Sequence, residues 1–553
     1  MRKKIISQKA RDTLTVVTAF LRIFAALCCV SVTLSAADPR LILVLSVDQM
    51  RYDYLTRFGP LFQAGFKTLL EKGAVFTNAH YRHSSTETGP GHSVILSGRH
   101  GNHTGIVGND WWDPFLKKTI NVVEDPVQTT IGGSGRAASP ANFSGFTVGD
   151  KIKQKWPESK VFGVSMKDRS AILMGGRRAD GAFWFETSCG CFITSSYYAK
   201  EAPGWLAEFN KRRLPDQYVS KPWTRIREDE ALYEKYAGPD QAPGEHDLKD
   251  IAFPHVFTPK PPAAAYYSAF TRSPYSDEVL LEAALQILGT YKLGADASPD
   301  VLAVSFSAPD AIGHAWGAYS QEEMDEYLRL DIVLGKLLQA VETAVGADNI
   351  QVVLTADHGA VPLVEWLKEH GEPDARRYRP AVLSEAVNKA LAKQYPQAPN
   401  LVASFSNPNF YLDLDVIRQA GLSREKVEQV VIDALKSTGA VDQVYTHADL
   451  LGMSGLKDPL LPLYQNSFFE PRSPTLIVRI KQNSFVGGAG GSGHGTVYEY
   501  DRHVPVIWMG SGVKPGRYEE AAGPEDIAPT LAKLLNIPYP IEPDARLLTE
   551  VLP

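Results

Sequence analysis

The sequence predicts an α/β fold, a doubly wound and mostly parallel central sheet with helices on both faces and inserted subdomains. Three observations carry this expectation. Three apolar runs read as strands that stop at an aspartate: Leu41-Ile-Leu-Val-Leu-Ser-Val before Asp48, the run from Val301 that reaches Asp310, and Val352-Val-Leu-Thr-Ala before Asp357. Helical periodicity follows the strands at 58–71, 321–345 and 524–535, the alternation that doubly wound topology requires. The strand segments are dispersed along the chain, so the sheet is assembled across insertions.

In chain order, residues 1–37 read as an export signal. Arg2, Lys3, Lys4, Lys9 and Arg11 supply a basic start, residues 23–34 an apolar segment and Ser35-Ala36-Ala37 a small-residue cleavage site. The basic start is long, which leaves an uncleaved anchor as the alternative. No later stretch approaches the roughly 20 apolar residues of a spanning helix. The expected product is residues 38–553, exported to the periplasm or secreted, without a membrane span once the signal is removed. The chain carries 57 Lys and Arg against 63 Asp and Glu; the signal holds six of the former and one of the latter, so residues 38–553 have a formal charge of −11. That balance argues against a nucleic-acid binding surface, which needs a basic patch. Cys28 and Cys29 lie in the signal. Cys189 and Cys191 remain, free either to close a local disulfide or to stay reduced.

Two stretches interrupt the strand and helix alternation. Residues 202–274 turn to Pro, Tyr, Trp and charge, and read as an insertion packed beside the site. Residues 361–474 hold the extended run Asn409-Phe-Tyr-Leu-Asp-Leu and then a helix that Ser423 caps, Val427, Val430, Val431, Ala434 and Leu435 line on one face, and Gly439 ends. They read as an inserted α+β subdomain.

The carboxyl ends of strands in an open parallel sheet face one crevice, so residues distant in sequence meet there. Asp48, Asp310, His314, Asp357, His358 and the isolated His494 are therefore six candidate ligands, enough for two zinc ions with open positions. Each aspartate could instead cap the helix after its strand. That reading leaves the pairing of Asp310 with His314, and of Asp357 with His358, unexplained. The run Gly487-Gly-Ala-Gly-Gly-Ser-Gly493 is either a flexible loop or a backbone folded tightly enough to bring His494 to a metal. After the first strand and helix comes Ser84-Ser-Thr-Glu-Thr88-Gly-Pro-Gly-His92, where a hydroxyl can cap a helix or serve as a nucleophile.

These motifs together resemble the alkaline phosphatase superfamily, in particular the phosphate-irrepressible bacterial phosphatases and the related nucleotide pyrophosphatase/phosphodiesterases. The match runs in order through Ser46-Val-Asp48, Thr88-Gly-Pro-Gly-His92, Gly105-Ile-Val-Gly-Asn109, Asp310 with His314, Ala356-Asp357-His358-Gly359 and Gly493-His494-Gly495, spanning nearly all of residues 38–553. The resemblance implies an alkaline-phosphatase-like fold and two zinc ions per chain, one held by Asp310, His314 and His494, the other by Asp48, Asp357 and His358 beside Thr88. It implies Thr88 as the nucleophile, with Thr86, Ser84 and Ser85 as local competitors, and Asn109 as a phosphoryl contact. Lys167 and Arg169 resemble the Lys-x-Arg segment of the monoesterases, whose cations reach the non-bridging oxygens of a dianion. Lys167 would also take the region where other alkaline phosphatases bind magnesium, so a third ion is not expected there.

The implied activity is hydrolysis of small-molecule phosphate monoesters through a phosphothreonine. The alternatives are a phosphodiesterase or nucleotide pyrophosphatase of the same superfamily and, outside enzymes, an inactive exported zinc-binding protein.

Overall fold

A computed structural model describes residues 38–245 and 251–552. The export signal expected at 1–37 lies outside the described residues. Ten strands form one sheet, numbered in chain order: β1 (Leu41–Val47), β2 (Ala74–Phe76), β3 (Thr130–Ile131), β4 (Val161–Ser165), β5 (Gly181–Glu186), β6 (Cys191–Ser195), β7 (Asp300–Phe306), β8 (Ile350–Thr355), β9 (Val506–Gly510) and β10 (Gly516–Tyr518). Their spatial order is β10-β2-β9-β8-β1-β7-β4-β5-β6-β3. The five central strands β8, β1, β7, β4 and β5 are parallel. Antiparallel pairs flank them on either side: β8 with β9 and β9 with β2, β5 with β6 and β6 with β3. The sheet is thus mixed, with its parallel part in the centre.

Strand β1 is buried throughout because it packs on both faces. Leu41, Leu43, Leu45 and Val47 enter one core, while Ile42 and Val44 enter the other. Side chains that alternate across a strand and are apolar on both sides produce the continuous apolar run seen in the sequence. On the first face lie helices α1 (Gly65–Lys72), α4 (Pro274–Tyr291) and α6 (Gln321–Val345); on the second, the inner sides of α2 (Thr88–Ser97) and α7 (Ile527–Leu534). Two further helices start at strand ends: α3 (Asp168–Gly175) after β4 and α5 (Ala308–Trp316) after β7.

Periodicity at 321–345 matches α6 residue for residue. The segment 58–71 does not form one helix. It splits into a short turn at Gly59–Leu61 and α1 from Gly65. Asp331 of α6 decides this break: its carboxylate accepts from the N–H groups of Gln63 (2.7 Å), Ala64 (2.8 Å) and Phe66 (2.8 Å), capping α1 from another element. The C-terminal pattern likewise begins as a 3₁₀ turn, Pro524–Asp526, before α7.

Between β6 and α4, helices Gly204–Lys211, Glu230–Ala237 and Ala264–Phe270 cover the first core. Trp223 is buried there and donates to Asp325 of α6 at 2.7 Å. Further on, strands Val402–Ser406, Asn409–Leu412, Leu476–Ile480 and Val441–Thr446 make a separate sheet in that order, with their own core. One of these strands lies beyond position 474. Ser423 caps helix Arg424–Ser437, accepting from Lys426 N–H at 3.4 Å. Cys189 and Cys191 are disulfide-bonded. No helix among the described residues is long and apolar enough to cross a membrane.

Helix α2 lies against the end of β8 at Gly91, where a Cβ would fall 2.2 Å from the Asp357 carbonyl oxygen and 2.7 Å from its Cβ. Gly91→Ala should therefore push α2 off the sheet and cost about 1–3 kcal/mol, read as a lower urea midpoint with an unchanged m value.

Candidate active site

The carboxyl ends of β8, β1, β7 and β4 stand side by side because the register aligns Ser46 with Thr355 and Ser305, and Ser305 with Ser165. The next residues out are Asp357, Asp48, the α5 turn carrying Asp310, and Lys167. Two groups of ligand atoms result, Asp48 with Asp357 and His358, and Asp310 with His314 and His494, each set lying within 4.8 Å of one another. Asp310 and His314 are four apart on α5 and share one helix face, with Nε2 of His314 3.2 Å from Asp310 Oδ1. The two groups abut, since the rings of His358 and His494 stack at 3.6 Å.

Each of the three histidines is oriented the same way. Nδ1 of His314 lies 2.9 Å from the Ser492 carbonyl, that of His358 3.0 Å from the Gly359 carbonyl, and that of His494 2.8 Å from the Thr86 carbonyl. A carbonyl oxygen only accepts, so Nδ1 carries the hydrogen and Nε2 presents its lone pair to the site. The glycine-rich segment before His494 is tied down to achieve this. Gly491 N–H bonds Gly244, Ser492 N–H bonds the His314 carbonyl, and the Gly493 carbonyl accepts from Val361 N–H.

The residues fit metal ions by a direct observation. Asp48 Oδ1 and His358 Nε2 are fully buried ligand atoms that accept no hydrogen bond, and buried Asp357 Oδ2 has only the His92 Nδ1 contact at 3.2 Å. Leaving such acceptors unpaired is costly unless a cation meets them. Lys167 supplies part of that charge, its Nζ lying 2.6 Å from Asp48 Oδ2 and 2.5 Å from Asp310 Oδ2, so that one ammonium joins the two groups. One ammonium does not neutralise three carboxylates. Burial, with Asp310 and Asp357 adjacent, pushes the Asp48 carboxyl well above the usual carboxylate range. Burial acts on Asp310 in the same sense, but Lys167, His314 and His494 overcome it and hold that carboxyl well below the range. Burial and the two neighbouring imidazoles hold His494 well below its ordinary value, in the neutral form that ligates.

Thr88 opens α2 and is 1% exposed, but its side chain makes no capping bond. Among the described residues its Oγ1 has one hydrogen bond, accepted from Arg169 Nη2 at 3.4 Å. Two of the competing hydroxyls are committed elsewhere: Thr86 donates to the Thr496 carbonyl and Ser85 to the Val107 carbonyl. Asn109 Oδ1 accepts from Gly89 N–H at 2.7 Å, which leaves its amide hydrogens for another acceptor. The structure thus brings Asp48, Thr88, Asn109, Lys167, Arg169, Asp310, His314, Asp357, His358 and His494 to one crevice.

Two positioning residues, Gln49 and Glu87, carry no motif of their own, and a third, His92, stands in the sequence only as the end of the Thr88-Gly-Pro-Gly-His92 motif with no role attached. Gln49 takes a left-handed φ of 67°, donates its N–H to Asp357 Oδ1 at 3.1 Å and its side-chain amide to Asp310 Oδ1 at 2.8 Å, spanning both groups. Such a conformation in a non-glycine residue is held by its surroundings. His92 stands between Thr88 and the metal group: Nδ1 is 2.8 Å from the Thr88 carbonyl and 3.2 Å from Asp357 Oδ2, and Nε2 is 2.8 Å from Ser305 Oγ. Glu87 accepts from Asn109 N–H at 2.9 Å, and burial raises its carboxyl. Their signal was adjacency, one residue after Asp48, four after Thr88 and one before it.

The family model for type I phosphodiesterase / nucleotide pyrophosphatase matches residues 42–495. The alkaline phosphatase PhoV of Synechococcus elongatus is 33% identical over 528 residues, covering 94% of this chain and 94% of that protein. The crystal structure of alkaline phosphatase PafA superposes with a TM-score of 0.86 at 31% identity, covering 93% of this chain and 99% of PafA. A PafA variant substituted at a threonine, an asparagine, a lysine and an arginine gives a TM-score of 0.87 over the same shares at 31% identity.

His92→Asn should weaken metal retention about 10- to 100-fold, because the Asp357 carboxylate loses its positioning partner; competition with a colorimetric chelator measures this directly.

Proposed function

The chain belongs to the type I phosphodiesterase / nucleotide pyrophosphatase family and is a phosphoric monoester hydrolase, an alkaline phosphatase; from that premise we propose that it works with two zinc ions and a phosphothreonine at Thr88. The observation that carries this reading is the common orientation of His314, His358 and His494, whose Nε2 atoms converge with three buried carboxylates beside an uncommitted threonine hydroxyl. Carboxylate oxygen with imidazole nitrogen, in two sets of three, is a donor set suited to zinc with a position left open.

Charge supports the count. Asp48, Asp310 and Asp357 against Lys167 and Arg169 leave the site at a formal −1 without metal, and two divalent ions would bring it to +3, the magnitude carried by a monoester dianion together with a threonine alkoxide. When bound, zinc held by these six residues would stabilise negative charge on the entering and departing oxygens.

The chain's own residues do the remainder. Thr88 Oγ bonds to phosphorus as the ester P–O bond breaks, and the Oγ proton passes through solvent to the departing alkoxide, which leaves as the alcohol. A water oxygen then bonds to phosphorus as the Oγ–P bond breaks; one proton of that water passes to Thr88 Oγ and the other stays on the hydrogen phosphate that leaves. Arg169, already facing Thr88 Oγ1, forks onto the equatorial oxygens, and the Asn109 amide donates to a third. The phosphoryl group sits at the N-terminus of α2, where the first-turn N–H groups favour an anion. Lys167 stays between Asp48 and Asp310, taking the place of a third cation and lending its charge to the dianion. The four residue types substituted in the PafA variant stand in the same order as Thr88, Asn109, Lys167 and Arg169, with the same separations within the first and the last pair. That agreement supports the assignment. We further propose that residues 1–37 direct export and that the working protein comprises residues 38–553.

Thr88→Ala should abolish labelling of the protein by phosphate and reduce turnover on the order of 10⁴-fold or more; near-full turnover with labelling intact would overturn the nucleophile assignment. Arg169→Ala and Lys167→Ala should each lower kcat/KM for an aryl phosphate monoester by about 10²-fold or more, and for the matching diester far less. An equal loss on both esters would mean that the pair does not read the dianion. Chelation should release two zinc ions per chain from this site, counted by native mass spectrometry, and lower the thermal midpoint, since the ions are linked to folding.

A further inference from the structure

A third group of ligand atoms lies outside the active site. His80, in the segment after β2, and Glu499 and His503, on the turn before β9, offer His80 Nε2, a Glu499 carboxylate oxygen and His503 Nδ1 within 4.8 Å of one another. The backbone fixes all three. His80 and His503 pair across an isolated antiparallel bridge, His80 N–H bonds the Ala522 carbonyl, and the Glu499 carbonyl accepts the His503 N–H one helical turn later. The two imidazole rings stack with centroids 4.3 Å apart and planes 17° apart, and Tyr52 stacks on the far face of His503 at 4.5 Å.

The tautomer of His503 turns this from an ion-pair cluster into a ligand set. Its Nε2 lies 3.0 Å from the Thr77 carbonyl, so Nε2 carries the hydrogen and Nδ1 presents a lone pair. That lone pair faces Glu499 Oε1 at 3.5 Å, while His80 Nε2 reaches the same oxygen at 2.6 Å. A hydrogen on His80 Nε2 accounts for the 2.6 Å contact, but the His503 lone pair beside the same carboxylate meets none, and one ion displacing that hydrogen would serve all three atoms. Stacked imidazoliums would repel each other, so a single ion shared by two neutral rings and one carboxylate answers the arrangement better than two protons. A backbone carbonyl behind one ligating histidine is the outer support that metal-bound imidazoles generally have.

We propose that His80, Glu499 and His503 form a separate binding site for one divalent transition-metal ion of the zinc type. Two nitrogen donors with one carboxylate select such an ion over calcium or magnesium, which take oxygen. The fourth position opens to solvent, since Glu499 is 65% exposed and a cavity of about 420 Å³ lined in part by Tyr52, Glu499, Tyr500 and His503 adjoins it. The ion is placed to act as a staple. It ties the segment after β2 to residues 499–503, whose Tyr500 and Asp501 carbonyls accept the Ala360 and Gly359 N–H groups just beyond His358. The site therefore braces the turn that carries two active-site ligands without touching substrate.

The test is the difference in metal count between the full chain and two variants, Glu499→Gln and His503→Ala, after equilibration with micromolar zinc and removal of excess. Native mass spectrometry should find one ion fewer per chain in each variant, whatever the count at the active site. The weakest zinc affinity of the wild type should be lost or reduced about tenfold or more, and the part of the zinc-induced rise in thermal midpoint that depends on it should disappear. Equal counts with equal midpoint shifts would overturn the proposal and leave an ion pair only, as would zinc uptake seen only at millimolar concentration. Glu499 is exposed, so its variant decides the matter even if His503→Ala fails to fold.

Discussion

The common height at which four adjacent parallel strands end is the constraint on which the rest of this molecule depends. Backbone pairing sets it, because Ser46, Thr355, Ser305 and Ser165 occupy matching positions in β1, β8, β7 and β4. Asp48, Asp357, Asp310 and Lys167 then follow within a few residues of the sheet's end and have no other place to go. A shift of one residue in any of these strands would turn its side chains to the opposite face and exchange the contents of the two cores. Burial on both faces of β1 makes such a slip prohibitive, so the same apolar surface that stabilises the sheet also fixes the ligand positions.

Charge is the cost of that arrangement. Three carboxylates sit at or near zero exposure within reach of one ammonium, and two of the ligand atoms, Asp48 Oδ1 and His358 Nε2, have no hydrogen-bond partner. A fold stable by only about 5–15 kcal/mol does not carry uncompensated buried charge without a reason. Lys167 bridging Asp48 and Asp310 lowers the cost and joins the two ligand groups into one electrostatic unit. The excess acceptor character that remains suits the crevice to a cation.

Precision comes from contacts outside the ligand sets. Gln49 reaches both groups, His92 connects the Thr88 backbone to Asp357, and a close approach at Gly91 lets α2 rest on the Asp357 peptide. A second close approach, where a Cβ on Gly359 would lie 2.2 Å from the Tyr500 carbonyl, seats the His358 turn on the segment that also carries Glu499 and His503. The proposed nucleophile, the candidate ligands and the peripheral histidines thus belong to one backbone framework.

Much of this was legible in the sequence for a topological reason. Strands that end on Asp48 and Asp357, the Asp310 and His314 pair and the isolated His494 can be read as one crevice because parallel strand ends converge in any open α/β sheet. Local periodicity located α6 to the residue. The break at residues 62–64 was not legible, since the carboxylate that causes it belongs to Asp331, 267 positions beyond Ala64. Nor was the fate of the two cysteines, the left-handed turn at Gln49, or the choice of ring nitrogen in each histidine, which depends on a carbonyl brought near by another segment. His80 and Glu499 carry no motif, and they lie with His503 up to 423 positions apart. Sequence alone determined which residue types arrive at the carboxyl end of the sheet, because strand patterning and order are local properties; tertiary structure decided which atoms of those residues face each other, because lone-pair direction, burial and backbone support are set by neighbours distant along the chain.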